Sequence, residues 1–126
     1  MFPRFLRPTT RWIICLLAVG LLAVSVHPTN AQRAEVTLTV DTTVDAADKT
    51  ACSAAPDDCS LRGAILRANS EPQNSFLIDL PAGTWRLTLP GAGEDAGQSG
   101  DLDVSGRVTL NGAGVTLTII EAGPDA

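Results

Sequence analysis

Pro72 separates two periodicities. Before it, Leu61, Ala64, Ile65 and Ala68 stand at i, i+3, i+4 and i+7, a narrow apolar stripe along one face of a helix. After it, apolar residues fall on every second position: Phe76, Ile78 and Leu80, then Trp85, Leu87 and Leu89, then Leu102, Val104, Val108 and Leu110, then Leu117 and Ile119. A period of two places such residues on one face of an extended strand. An earlier segment, Glu35-Val36-Thr37-Leu38-Thr39-Val40, alternates in the same way and can run on through Val44. Glycine or proline interrupts nearly every run, so the strands must be short. The fold class read from this pattern is mainly β with one short α-helix.

The helix carries its own boundary signals. Ser60 suits the N-cap, where a hydroxyl accepts from an early backbone N–H. Asp57 and Asp58 precede it, and negative charge is favourable at a helix N-terminus. Pro72 ends it, because proline lacks an N–H and disfavours α geometry at Glu71. A helix of roughly ten residues is marginal alone in water, so it must pack on the sheet. Residues 45–58 have no period and read as a loop. Period and composition leave two β architectures open. A sandwich or meander would use antiparallel hairpins with tight turns, for which Asn111-Gly112 is a candidate. A parallel β-helix would stack short strands coil upon coil.

The first 31 residues have a different character. Arg4, Arg7 and Arg11 precede an apolar run from Trp12 to Val26, and a polar stretch ends at Ala31. This is the layout of a secretory signal peptide, with Thr29 and Ala31 at the small-residue positions before cleavage. The run is too short for a comfortable transmembrane helix. The expected mature chain begins at Gln32 and is secreted or displayed at the cell surface. It keeps six basic residues against fourteen acidic ones, a net charge of −8. Nucleic acid and anionic membrane both require a basic face and are poor partners for it. The only histidine, His27, lies in the leader. A Ser-His-Asp triad, a Cys-His pair and a histidine metal site are therefore excluded in the mature chain.

Cys15 also lies in the leader. Cys52 and Cys59 remain, an even number in an exported chain, and a disulfide between them is expected. Two unpaired thiols are the alternative. A zinc site is not expected, since two cysteines without histidine fill half a tetrahedron.

Cys59-Ser60-Leu61-Arg62-Gly63-Ala64-Ile65, followed by Ala68-Asn69, resembles the motif for which the CSLREA domain is named. Leu80-Pro81-Ala82-Gly83-Thr84-Trp85, Gly100-Asp101-Leu102-Asp103-Val104, Thr109-Leu110-Asn111-Gly112-Ala113-Gly114 and Thr118-Ile119-Ile120 extend the resemblance over residues 35–123. The resemblance implies an exported bacterial protein in which residues 32–75 cap the N-terminal end of a right-handed parallel β-helix. Residues 76–126 would form its first coils. About two coils are visible, whereas repeat folds generally need three or more, so a longer, truncated design is expected. The family motif has Glu where this chain has Gly63. Position 63 would be N3 of the helix, and Ser-x-x-Glu is a capping box. Gly63→Glu is therefore expected to raise the melting temperature.

Four groups could carry chemistry. Glu94, Asp95, Asp101 and Asp103, with Gly93, Gly97 and Gly100 letting the loop bend, could fold around Ca²⁺, but a solvated acidic loop explains the same residues. Asp101 and Asp103 would share one strand face, as the paired acids of a glycosidase can. Gly112-Ala113-Gly114 is a fragment of a phosphate loop without the following helix, and a corner between strands explains it better. Arg62 and Arg67 could make a basic spot, or pair on the surface with Asp57 or Asp58. The expected function is a non-enzymatic structural or surface-interaction protein that needs no cofactor and no metal. It would contact an unknown extracellular ligand and associate with itself through an open β-helix end. The competing expectation is the leading piece of a secreted polysaccharide lyase or glycoside hydrolase.

Overall fold

The computed structural model describes residues 33–91 and 93–123. Residues 1–31, expected to be a leader, lie outside them. The elements are β1 (Glu35–Thr39), α1 (Leu61–Ser70), β2 (Ser75–Leu80), β3 (Gly83–Leu87), β4 (Arg107–Gly112) and β5 (Thr118–Ala122). The protein is mainly strand with one short helix, as the two periodicities require.

Every ladder between these strands is parallel. One sheet has the order β1-β2-β4, and a second pairs β3 with β5. After β1 and α1 the chain visits the first sheet at β2, then the second at β3, then returns to each one strand further on at β4 and β5. No antiparallel hairpin joins these strands, which removes the sandwich or meander. Register is one-to-one. Val36, Phe76 and Val108 form a column, as do Leu38, Ile78 and Leu110. Trp85 lies beside Ile120 and Leu87 beside Ala122. Because the pleat repeats every two residues, these columns share one face.

That face is the core. Leu38, Val40, Phe76, Ile78, Leu80 and Trp85 are buried together with the helix stripe Leu61, Ala64, Ile65 and Ala68. Burying a Leu or Ile side chain fully stabilises by roughly 1.5–3 kcal/mol, so Leu61 and Ile65 supply the largest apolar share of what holds α1 in the core. Polar pairs bridge strands on the outer face. Asn111 donates from Nδ2 to Asp79 (2.7 Å), and Arg86 pairs with Glu121 at 3.1 Å, each bond bridging adjacent strands.

Three expected elements differ. β1 ends at Thr39 and does not run on to Val44, because Asp41 turns to accept from Cys59 N–H (2.9 Å) while its own N–H donates to the Cys59 carbonyl. Residues 102–105 form no strand, and Val104 is exposed. The Asp103 carbonyl and the Ser105 N–H go to Asn69 of α1 instead of to a neighbouring strand. Asn111-Gly112 is no turn; it completes β4, and residues 115–117 make the turn.

Candidate functional site

The motif residues converge at the start of α1. Ser60 is the N-cap, and its Oγ accepts from Gly63 N–H at 2.9 Å. The helix register read from the sequence therefore holds. The expected benefit of Gly63→Glu does not. In a capping box the Glu carboxylate would accept from the N-cap N–H. Here Ser60 N–H donates to the Lys49 carbonyl at 3.2 Å. That carbonyl lies so close to Gly63 Cα that any Cβ at position 63 would collide with it. A backbone oxygen from the preceding loop has taken the place of the glutamate, and only glycine leaves room for it. The same hydroxyl of Ser60 donates to the Ala46 carbonyl, tying the loop down a second time.

Arg62 is the largest correction. The helix stripe placed it on the surface beside Asp57 or Asp58. It is instead 1% exposed, and its partner is Asp45, whose side chain is also 1% exposed. Nε donates to Asp45 Oδ1 at 2.6 Å and Nη2 to Oδ2 at 3.1 Å. Nη2 also donates to the Gly100 carbonyl (2.7 Å), and Nη1 to those of Gly97 and Asp101 (3.0 Å each). A guanidinium has five N–H groups in a rigid fork, and all five find an acceptor here. Asp45 is satisfied in turn, because Oδ2 also accepts from Thr88 N–H (2.7 Å) and Leu89 N–H (3.0 Å). Burial pushes the Asp45 carboxyl up. The bond from Arg62, the two backbone N–H groups and the guanidinium charge outweigh burial and hold it below the usual carboxylate range. Asp57 pairs with Lys49 (3.0 Å) and Asp58 accepts from Ser53.

Asn69 does for residues 103–106 what Arg62 does for residues 97–101. Its Nδ2 donates to the Asp103 carbonyl at 2.6 Å, and its Oδ1 accepts from Ser105 and Gly106 N–H at 2.9 Å each. Gly106 packs against the Ala68 carbonyl, 2.7 Å from where a Cβ would stand. Arg67 stays near the surface, donating to Ala51 O (2.6 Å) and lying 3.5 Å from Glu71.

Cys52 and Cys59 are joined by a disulfide. Cys59 is fully buried and immediately precedes the N-cap, so the bond anchors the loop at the helix start. A disulfide belongs to an oxidising compartment. Among the described residues no helix is long and apolar enough to cross a membrane.

The acidic loop has a different task from the one its composition suggests. The carbonyls of Gly97, Gly100 and Asp101 point at Arg62. Asp103 Oδ2 accepts from Gly97 N–H at 3.0 Å, and Glu94 accepts from Ala96 and Ser99 N–H. The Ser99 N–H is the main reason that the Glu94 carboxyl lies below its usual range. Among the described residues no cluster of acidic, Cys or His side chains is arranged to hold a metal. Asp101 and Asp103 sit on irregular backbone, so the shared strand face required of a carboxylate pair is not formed. Gly112 ends β4 and Gly114 leads into the turn before β5, with no helix following among the described residues.

Ser60, Arg62, Arg67 and Asn69 thus all serve to join α1 to the loops around it. Asp45, Asp41 and the Lys49 carbonyl were missed in the sequence. Asp41 falls in what reads as a continuing strand, Asp45 and Lys49 lie in a stretch without period, and nothing local marks an aspartate 17 residues from its arginine. Comparison with protein-family models, with curated proteins and with solved structures finds no match for this chain.

Proposed function

We propose that residues 33–123 are the closed N-terminal end and first coils of a parallel β-helix in a non-enzymatic, exported structural or surface-interaction protein. The observation that carries this reading is the parallel, in-register pairing of successive strands in two sheets, with α1 packed on the same core. A first coil exposes apolar interior and unpaired backbone, both of which invite aggregation. Leu38 and Val40, in β1 and just after it, are nevertheless buried, which is what a lid achieves. The resemblance of Cys59-Ser60-Leu61-Arg62 and the residues after it to the CSLREA motif supports the same assignment, and supports a right-handed coil. The engagement of Arg62, Asn69, Asp45 and Asp103 inside the fold favours a mechanical role for these residues over a catalytic one. The disulfide and the leader-like residues 1–31 support export.

Two measurements test the proposal. Expressed in a bacterium with its own N-terminus, the protein should be recovered from the periplasm or medium beginning at Gln32, with Cys52 and Cys59 oxidised. Incubated with neutral and acidic polysaccharides, it should release no new chain ends. Release of ends that is lost in the Asp101→Asn, Asp103→Asn variant would establish the enzyme reading in its place.

A further inference from the structure

The ring closed by the Cys52–Cys59 bond is held unequally at its two ends. Cys59 is fully buried, and its backbone is fixed without the bond. Its N–H donates to Asp41 Oδ1 at 2.9 Å, and its carbonyl accepts from the N–H groups of Asp41 (3.0 Å) and Thr42 (3.3 Å). Cys52 is half-buried. Its N–H donates to the Asp58 carbonyl at 3.3 Å, longer than the usual bond of this kind. Residues 53–57 are exposed. Their bonds stay largely inside the ring, from Ser53 to Asp58 and from Ala55 to Ser53 Oγ.

The backbone at Cys52 is also strained. Among the described residues, Cys52 (φ 45°) and Asp57 (φ 62°) are the only ones other than glycine with positive φ. Aspartate is one of the side chains that suit this left-handed region; cysteine is not. Such a conformation persists only where its surroundings over-determine it. At Cys52 the restraints are the bond to Cys59 and one long hydrogen bond.

We propose that this disulfide is a redox latch: formed, it holds the lobe of residues 49–58 against α1, and its reduction in the folded protein opens that lobe while helix and sheets stay in place. The inference needs neither the coil reading nor the export reading. The reductant is a dithiol. One of its thiolates attacks the accessible sulfur, that of Cys52; the Cys52–Cys59 bond breaks, and Cys59 leaves as a thiolate and takes up a proton. The second thiolate of the reagent then displaces Cys52 from the mixed disulfide. The protein gains two electrons and two protons, and the dithiol becomes a cyclic disulfide. Upstream of the lobe, Asp45 keeps Arg62 and the Ala46 carbonyl keeps Ser60, so α1 retains its place.

Opening changes one surface. A cleft of about 500 Å³ is lined by Ala47, Thr50 and Ala51 from the loop and by Leu66, Arg67 and Ser70 from α1. Closed, the lobe ties Arg67 Nη1 to the Ala51 carbonyl at 2.6 Å. Open, it leaves Arg67 with Glu71, 3.5 Å away. The redox state of the surroundings thus sets the shape of the cleft and the freedom of its arginine.

The test compares the oxidised parent, the parent held in dithiothreitol, and the Cys52→Ser variant, which is open without reductant. Lys49 is the only lysine in the chain, so a lysine-specific protease that tolerates reductant cuts at one place, the base of the lobe. Cleavage there follows the population of the open lobe and should be at least about tenfold faster in the reduced protein and in the variant. Trp85 fluorescence and circular dichroism should stay unchanged, and cleavage should slow again on reoxidation. Without denaturant, reduction should outpace the global unfolding rate measured in urea. Reduction no faster than global unfolding overturns the proposal, as does exposure of Trp85 in step with reduction. Equal cleavage at Lys49 in the two redox states overturns it too. If Cys52→Ser fails to fold, the two redox states of the parent decide. None of these results touches the cap reading, which fails on polysaccharide cleavage or on lack of export.

Discussion

Replacing Arg62 with methionine tests whether the guanidinium holds the cap together. Methionine matches much of the stem but removes all five donors. Asp45 would be left ionised in the interior with only the Thr88 and Leu89 N–H groups. Removing one partner of a buried ion pair typically costs about 3–5 kcal/mol. Small domains have only about 5–15 kcal/mol in total, so the loss is a large share of the whole. At about 4–8 °C per kcal/mol for a domain of this size, a loss of about 4 kcal/mol lowers Tm by roughly 15–30 °C. Arg62→Lys separates charge from geometry. Lysine keeps the charge but offers three donors from one point, so it cannot reach Asp45 and three carbonyls together. Its expected cost is about 1.5–3 kcal/mol. Urea unfolding followed by fluorescence of the buried Trp85 reads both variants. The carbonyls of Gly97, Gly100 and Asp101 lose their donors as well, so cleavage in the 93–103 loop should accelerate under limited proteolysis. Combined with Arg62→Met, the Asp45→Asn substitution should recover part of the loss, because the unpaired charge is gone. An Arg62→Met protein within about 1 kcal/mol of the parent, or an Arg62→Lys protein indistinguishable from it, would refute the reasoning.

Other outcomes follow from the same contacts. Gly63→Ala and Gly63→Glu should each lower Tm, the collision with the Lys49 carbonyl costing about 1–3 kcal/mol against a helix-propensity gain of about 1 kcal/mol; thermal melts decide the sign. Asn69→Ala removes three hydrogen bonds and should cost about 1.5–4 kcal/mol, with faster amide exchange at Ser105 and Gly106 as the local signature. Reducing the disulfide, or changing both cysteines to Ser, should cost about 2–3 kcal/mol for so short a loop, measured by parallel urea titrations with and without reductant. Asp45 titrates lower in the folded than in the unfolded state. Its contribution is therefore complete above the ordinary carboxylate range and is lost as pH falls through the depressed folded value. Stability should fall in acid below about pH 4, and Asp45→Asn should flatten that limb.

Local chemistry was enough for the elements that depend on near neighbours. A stripe at helical spacing, a serine before it and a proline after it define α1 closely, because capping and proline geometry act over one turn. Period-two alternation located β1, β2, β3 and β5 for the same reason: the pleat is local. Two cysteines in a chain read as exported were enough to expect the disulfide. Leu102 and Val104 misled because alternation records only that a segment can be extended, and here Asn69 takes the Asp103 carbonyl and the Ser105 N–H. Only the tertiary structure decided that the strands pair in parallel, since register and direction depend on residues some thirty to forty positions apart. It alone decided that Arg62 is internal. The polarity of an arginine predicts solvent, and burial is stable only when acceptors from separate segments meet every donor. Gly63 shows the division most clearly. Its place at N3 was readable from the sequence, but its reason is the carbonyl of Lys49, which no local pattern could bring there.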